Sequence, residues 1–422
     1  MLYRLICIGS ANPAHSRPAW QGLAVFFMAV VGIAAIFGRD AAWAQTHRHA
    51  SSHGQALAIS AAFDARGSLW VVGWQEPGKL YLKRVLDQGK PLEEARRLID
   101  LSGDAVSASG ENRPKLSFGP QGQFLISYTQ PLSKPYTGFI RMVRSVDGGA
   151  SFSAPFTVHA DRQEITHRFE SIIVDREGIL HSFWIDKRDQ ELMRRSKGLN
   201  HRDLAKHYRG AAIYRNESRD AGVSFGPDIK IADHSCECCR IALTLDAQGK
   251  PVALWRHVFE PNIRDHAFWR WSAPHGIERA TEDNWSLDAC PHHGPAMALA
   301  SDGGFHALWY GDRKGRMAVR YARLSPEGKP KTAPVELPDP GAEHADVLRQ
   351  GSVVGITWQV FDGKRSLWKL WVSNDEGGQW NTRVLGEHAG KHDYPLLVAH
   401  PMAGIWSLWN TDQGLQMRRI EP

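Results

Sequence analysis

One pattern recurs seven times along the chain, and it restricts the fold more than any other feature. Each copy is an apolar strand, a turn carrying Asp or Gly, and a second apolar strand ending in an aromatic residue. The copies read AISAAFDARGSLWVVGW to Trp74, PKLSFGPQGQFLISY to Tyr128, ESIIVDREGILHSFW to Trp184, and RIALTLDAQGKPVALW to Trp255. They continue as PAMALASDGGFHALW to Trp309, ADVLRQGSVVGITW to Trp358, and PLLVAHPMAGIWSLW to Trp409. Successive aromatics lie 54, 56, 71, 54, 49 and 51 residues apart, and a charged insert around Gln190–Gly210 lengthens the third unit. After most hairpins comes a third strand, such as FIRMVRS, AAIYRNES or LWKLWVS, then a tight turn and a fourth. Four strands in about 50 residues make one propeller blade. A lone blade cannot bury both faces, so neighbours must stack around an axis.

The chain is therefore expected to be an all-β propeller of four-stranded blades. Seven blades are favoured, with six as the alternative if one terminal hairpin is used otherwise. The last copy reaches Pro422 without a fourth strand, which residues just after the N-terminal targeting segment are expected to supply. Composition agrees: 39 glycines supply the turns, and most of the hairpins end in one of the 16 tryptophans. A hydrophobic content of 42% excludes a disordered chain. The net charge of +6 is spread without a Lys/Arg run, so no nucleic-acid partner is expected.

Residues 1–44 read as a signal peptide. Arg4 and Arg17 precede the uncharged run Gly22–Gly38, and Ala42-Trp43-Ala44 offers the small-x-small pattern cleaved after Ala44. The alternative is an uncleaved membrane anchor, for which 17 apolar residues are just long enough. After cleavage, residues 45–422 form a single propeller domain, periplasmic or secreted and without membrane contact. Its 48 basic and 44 acidic residues leave a net charge of +4. Such compartments are oxidising and favour paired cysteines.

Three turns between third and fourth strands share Ser-x-Asp-x-Gly-x-x-aromatic: Ser145 to Phe152, Ser218 to Phe225, and Ser373 to Trp380. The Asp side chain can accept the N–H groups of its own turn, and Gly supplies the positive φ. These turns resemble the Asp boxes of the sialidase (BNR-repeat) superfamily, and the resemblance covers essentially the whole mature chain. It implies the propeller fold, but propellers host many functions. The Asp boxes themselves are read as structural. They fall on the face opposite the start of each first strand, so a functional pocket is expected on the other face.

That face gathers the cysteines. Four remain after processing: Cys236, Cys238, Cys239 and Cys290. Cys236 lies 19 residues before Trp255, and Cys290 lies 19 before Trp309. This register aligns Cys238 with His292 and Cys239 with His293. His167 and His392 share the register of Cys238, each 17 residues before its aromatic. Regular blades would bring all eight residues to the axial mouth. Two readings follow. Disulfides would bridge Cys236 to Cys290 and leave Cys238–Cys239 as a strained vicinal pair. Alternatively, thiolate and imidazole together would hold copper or zinc. One bridge and a metal site can also coexist.

A sialidase needs arginines to grip a substrate carboxylate bidentately. Arg113 and Arg240 share one register, and Arg168 borders it. Asp186 and Glu260 lie on loops of the same face. The family's Arg-Ile-Pro segment is absent near the first blade, however, and no Tyr/Glu nucleophile pair stands out. The favoured reading is a non-sialidase binding protein rather than an enzyme. Its Cys/His cluster would bind a transition metal or be locked as disulfides, and its mouth would hold a small ligand, metal ion or glycan. A divergent sialidase-like glycoside hydrolase acting on an acidic sugar through Arg113, Arg168 and Arg240 is the alternative. A structural interaction scaffold is the third reading.

Overall fold

The computed structural model describes residues 56–289, 291–402 and 404–421. The segment read as a signal peptide, with its expected cleavage point after Ala44, lies outside the described residues. Seven antiparallel sheets follow one another along the chain, each opening with one of the repeat hairpins. Their first strands are Ile59–Phe63, Lys115–Phe118, His167–Val174, Ala242–Leu245, Ala296–Leu299, Glu343–Gln350 and Leu396–Ala399. Each first strand packs beside the next, and the last packs beside the first. The ring therefore closes around one axis with seven blades, not six.

The two terminal blades depart from the four-stranded plan. In blade one the third strand, Lys79–Asp87, pairs with Lys90–Pro91 near one end and with Arg97–Asp100 near the other. Blade seven has three strands among the described residues, the last being Gly414–Ile420. The residues expected to supply its fourth strand are outside the described set. The start of the described chain nevertheless lies against blade seven, where Asn410 Nδ2 donates to Leu57 O at 2.8 Å.

The insert of the third repeat forms two helices, α1 (Arg188–Lys197) and α2 (His201–His207). They leave and rejoin blade three between its strands Leu180–Asp186 and Ala211–Ser218. Gly198, left-handed at φ 62°, ends α1, and the Asn200 side chain caps α2 by accepting from Asp203 N. No helix among the described residues is long and apolar enough to cross a membrane.

The hairpin aromatics form the core between blades. Tyr128, Trp184, Trp358 and Trp409 are fully buried, and Trp255 and Trp309 nearly so. Burying a large apolar side chain contributes about 1.5–3 kcal/mol, so these rings are a main source of cohesion between blades. Each buried indole also needs an acceptor for its N–H. Trp184 donates to Asp186 (2.8 Å), Trp255 to Ser235 Oγ (3.0 Å), Trp309 to Asp283 (2.8 Å) and Trp358 to Asp339 (2.9 Å). Trp74 is the exception, half-buried beside a register shift in its strand, and Trp70 takes the buried place in blade one.

The three Asp boxes are built as expected. Ser218 Oγ donates to Asp220 Oδ1 at 2.7 Å and accepts from Gly222 N at 2.8 Å, while Val223 N and Ser224 N donate to Asp220 Oδ1 at 3.0 and 2.9 Å. Gly222 has φ 79°, and a Cβ there would stand 3.2 Å from Met142 Sδ, so glycine serves both the turn and the packing. The same bonds recur around Asp147 and Asp375.

Candidate functional site

The first strands leave an axial cavity of about 340 Å³, with Arg113, Lys115, Arg240, His344, Asp346 and Tyr394 in its wall. Arg113 and Arg240 therefore meet there, as their shared register predicts. Both are largely committed to the protein itself. A guanidinium offers five N–H donors. Arg113 donates to Gly110 O (2.9 Å), to Ile59 O (2.7 Å) and to both oxygens of Asp393 (2.8 and 3.0 Å). Arg240 donates to Glu111 Oε1 (2.8 Å), Pro295 O (3.1 Å) and Ala345 O (2.8 Å). These bonds run from blade to blade, so the two arginines act as cross-braces around the axis. One N–H remains on Arg113, which removes the bidentate grip a sugar carboxylate would need.

Glu111 is the anchor of this network. It also accepts from Gly294 N at 2.9 Å and from Arg240 N at 3.1 Å. Burial opposes its charge, but the Arg240 guanidinium and the His344 ring hold its carboxyl well below the usual range. Gly294 is required for the close approach, since a Cβ there would lie 2.7 Å from Glu111 Oε2. Beside it, four rings stack in series. Tyr310 lies on His293 (4.2 Å between centroids), His293 on His344 (4.2 Å) and His344 on Tyr394 (3.4 Å). Half-buried Lys115 donates to Arg113 O at 3.1 Å and interacts electrostatically with buried Glu170; burial lowers the lysine pKa and raises that of the carboxyl.

The cysteines form a separate cluster at the entry to blade four. The last strand of blade three, Ile229–Ser235, ends in an isolated bridge from Ser235 to His257. Cys236 N then donates to Arg256 O at 3.0 Å, and the chain bends before Ala242 enters the inner strand. The bend turns three sulfurs inward. Cys236 Sγ is 3.7 Å from Cys238 Sγ, which is 4.0 Å from Cys239 Sγ. All three lie within 4.8 Å of one another, the one such group of potential metal ligands among the described residues. They are buried in an apolar cluster with Phe169, Ile241, Trp255 and Trp269. Hydrogen bonding with Cys236, followed by burial, raises the Cys239 thiol well above its ordinary pKa.

The two structural readings of the cysteines fare differently. The vicinal Cys238–Cys239 disulfide is not formed: at 4.0 Å the sulfurs are far beyond the ~2.05 Å bond length. Cys290, and with it a Cys236–Cys290 bridge, lies outside the described residues.

The histidines do not converge on the sulfurs as the register predicts. His167 Nδ1 donates to Gly138 O (3.0 Å), and the ring stacks on His159 (4.0 Å), with Asp161 and Asp186 beside its Nε2. The cause is a bulge between Arg168 and Ser171, where Phe169 takes φ 56° and one extra residue enters the strand. His392 precedes its inner strand and bonds Ser366 Oγ at 2.7 Å through Nε2. His293 belongs to the ring stack, and His292 is left-handed at φ 53° on the same loop.

The remaining candidates for hydrolysis are dispersed. Asp186 is fully buried and accepts from Trp184 Nε1 and from Arg188. Glu260 is mostly exposed and pairs with Arg209 at 2.5 Å. Arg168 lies over the Phe169 ring at 5.0 Å and interacts electrostatically with Cys238, while burial lowers its pKa. Glu111, Lys115, Arg256, Arg264, His344 and Tyr394 were not singled out from the sequence. Glu111-Asn112-Arg113-Pro114-Lys115 is a compact run of charges ahead of an inner strand, and it is the signal that could have marked two of them.

No family model and no curated protein matches the chain. Solved structures do. A polysaccharide lyase of family PL25, an ulvan lyase bound to -[GlcA(1-4)Rha3S]-, superposes with a TM-score of 0.52 at 12% identity over 87% of this chain and 93% of its own. The leech intramolecular trans-sialidase, complexed with 2,7-anhydro-Neu5Ac, gives 0.51 at 9% identity over 84% and 83%. At such identities the likeness is one of fold alone: the chain shares the propeller architecture of these proteins.

Proposed function

We propose that this chain is an exported propeller acting as a binding protein, with a soft transition-metal ion, copper or zinc, held in its sulfur cluster. One observation carries the reading: three cysteine sulfurs converge within 4.8 Å in a buried, apolar setting. Thiolate ligands select copper(I) and zinc over harder ions. Arg113 and Arg240, the residues a glycosidase would need free, are occupied by Asp393 and Glu111. The test is metal analysis of the protein purified without oxygen, followed by titration against a chromogenic chelator. About one ion per chain, competing with the chelator, is expected for a site of this kind. Protein that neither retains nor takes up copper or zinc ends this reading.

A second reading rests on the axial cavity and on the two structural relatives, whose ligands are a glucuronate-containing saccharide and a sialic-acid derivative. Arg168, whose guanidinium makes no hydrogen bond among the described residues, and Lys115 are the cations left to meet an acidic sugar at the mouth. Oligosaccharides carrying uronate or sialate, screened for binding and turnover, decide it. Saturable binding weakened by Lys115→Met supports the reading, and a panel that neither binds nor reacts removes it.

A further inference from the structure

The excess charge of the chain sits in one place. Residues 188–210, the insert of the third repeat, hold seven Arg/Lys and three Asp/Glu, while the rest of the chain after Ala44 holds 41 of each. The net charge of +4 is therefore gathered on α1, α2 and the few residues that join them to blade three. Arg188, Arg194, Lys206 and Arg209 pair with Asp228, Glu191, Asp203 and Glu260. Arg195, Lys197 and Arg202 are exposed and have no carboxylate partner among the described residues. A surface shaped by solubility alone intersperses the two signs.

The insert also walls a cavity of about 700 Å³, bounded on its other side by Pro261–Asn262 and Asp288–Ala289. This wall shares no residue with that of the axial cavity. Five cations line it, Lys187, Arg202, Lys206, Arg209 and Arg264, against the three carboxylates of Glu191, Glu237 and Asp288. Two of those carboxylates are taken, Glu237 by Lys187 and Glu191 by Arg194. Arg202 keeps all five of its N–H donors, and Arg264 spends two, on Leu287 O and Cys236 Sγ. Two guanidiniums in one wall are thus left to meet an anion from outside the chain, and their planar forks suit a carboxylate.

The rest of the wall sets the kind of anion. The Gln190 amide donates to Gly210 O at 2.8 Å and the Asn262 amide to Leu287 O at 3.3 Å, so both amide oxygens remain to accept. Asp288, exposed and without a cation partner among the described residues, is a further acceptor. Acceptors interleaved with cations match a molecule that carries hydroxyls and carboxylates together. An acidic peptide offers carboxylates with few hydroxyls. A bilayer fails on shape and polarity: the cations line a concavity, and Leu192 is the one exposed large apolar side chain among the described residues of the insert.

We propose that this cavity binds a linear acidic saccharide, with Arg202 and Arg264 taking its carboxylates and Gln190, Asn262 and Asp288 its hydroxyls. The proposal rests on neither the metal reading nor the axial one.

The experiment is calorimetric titration of the purified protein with an oligogalacturonate, compared with a neutral malto-oligosaccharide, polyglutamate and phosphatidylglycerol vesicles. The oligogalacturonate is expected to bind saturably and more tightly than any of the three, and to weaken as salt is raised. Arg202→Gln/Lys206→Gln removes two cations of the wall and should weaken binding about tenfold, the scale of two exposed ion contacts. Arg195→Gln/Lys197→Gln removes the same charge outside the wall, and its effect should stay within about twofold. Both pairs replace surface side chains, where substitution leaves folding intact, and circular dichroism checks this. The proposal is overturned by no binding of the oligogalacturonate, by equal losses in the two double variants, or by binding of any comparison ligand as tight as that of the oligogalacturonate. Binding that Lys115→Met abolishes and Arg202→Gln/Lys206→Gln leaves intact also overturns it, because the saccharide would then sit at the axis.

Discussion

Cys238→Ser/Cys239→Ser should fold and lose its copper or zinc. The two substitutions leave Cys236 as the one described sulfur of the cluster, and a hydroxyl at neutral pH is neither ionised nor soft. Changing a group that merely supports a ligand costs 10–100-fold in metal affinity, so removing two ligands should exceed ~100-fold. Folding should survive because serine is nearly isosteric with cysteine. The cost is the burial of two hydroxyls beside Phe169 and Trp269, about 1–3 kcal/mol each where no acceptor is found. Cys238→Ala/Cys239→Ala avoids that cost and serves as the second variant. Chelator competition measures the loss, and near-UV circular dichroism of the surrounding tryptophans reports folding. Unchanged affinity for copper and zinc in a folded variant would move the site elsewhere.

The propeller was legible because its signal is repetitive. Seven hairpins with aromatics at nearly even spacing have few alternatives, and the buried indoles confirm why those positions recur: each closes the gap between two blades and finds an acceptor for its N–H. Cys236, Cys238 and Cys239 were legible for a related reason, since neighbours in sequence that precede an inner strand stay together in space. The histidines were not. Aligning them by distance from the aromatic assumes that every inner strand is regular. Blade three inserts a residue at Phe169, and blade six inserts one between Glu343 and Asp346, where His344 takes φ 50°. Neither bulge is marked by glycine, so no local signal warns of the change. The bulge in blade six sets His344 between His293 and Tyr394, a stack that no spacing rule anticipates.

The same reasoning about paired and unpaired charge predicts that Glu111→Gln is the most damaging single substitution at the axis. Glu111 is buried and takes four donors: Arg240 Nη1, Arg240 N, Gly294 N and the His344 ring. Those donors belong to the segments that open blades four, five and six, while Glu111 itself precedes blade two. The carboxylate is thus the hub that pulls four blades to the axis. Glutamine keeps the shape but brings two N–H donors to a site already filled with donors, and it leaves Arg240 without its counter-charge. Breaking a buried pair from one side costs about 3–5 kcal/mol. The expected result is a lower denaturant midpoint at neutral pH. The pH dependence separates this cause from a mere packing defect. The folded-state pKa of Glu111 is depressed, so its contribution is fully present above the unfolded value of about 4.3 and fades as pH falls below it. The gap between the natural chain and Glu111→Gln should therefore be widest from pH 6 upward and should narrow as the medium is acidified below about pH 4. A gap of constant size across that range would assign the loss to shape, and the axial carboxylate would no longer be the charge on which the ring is drawn together.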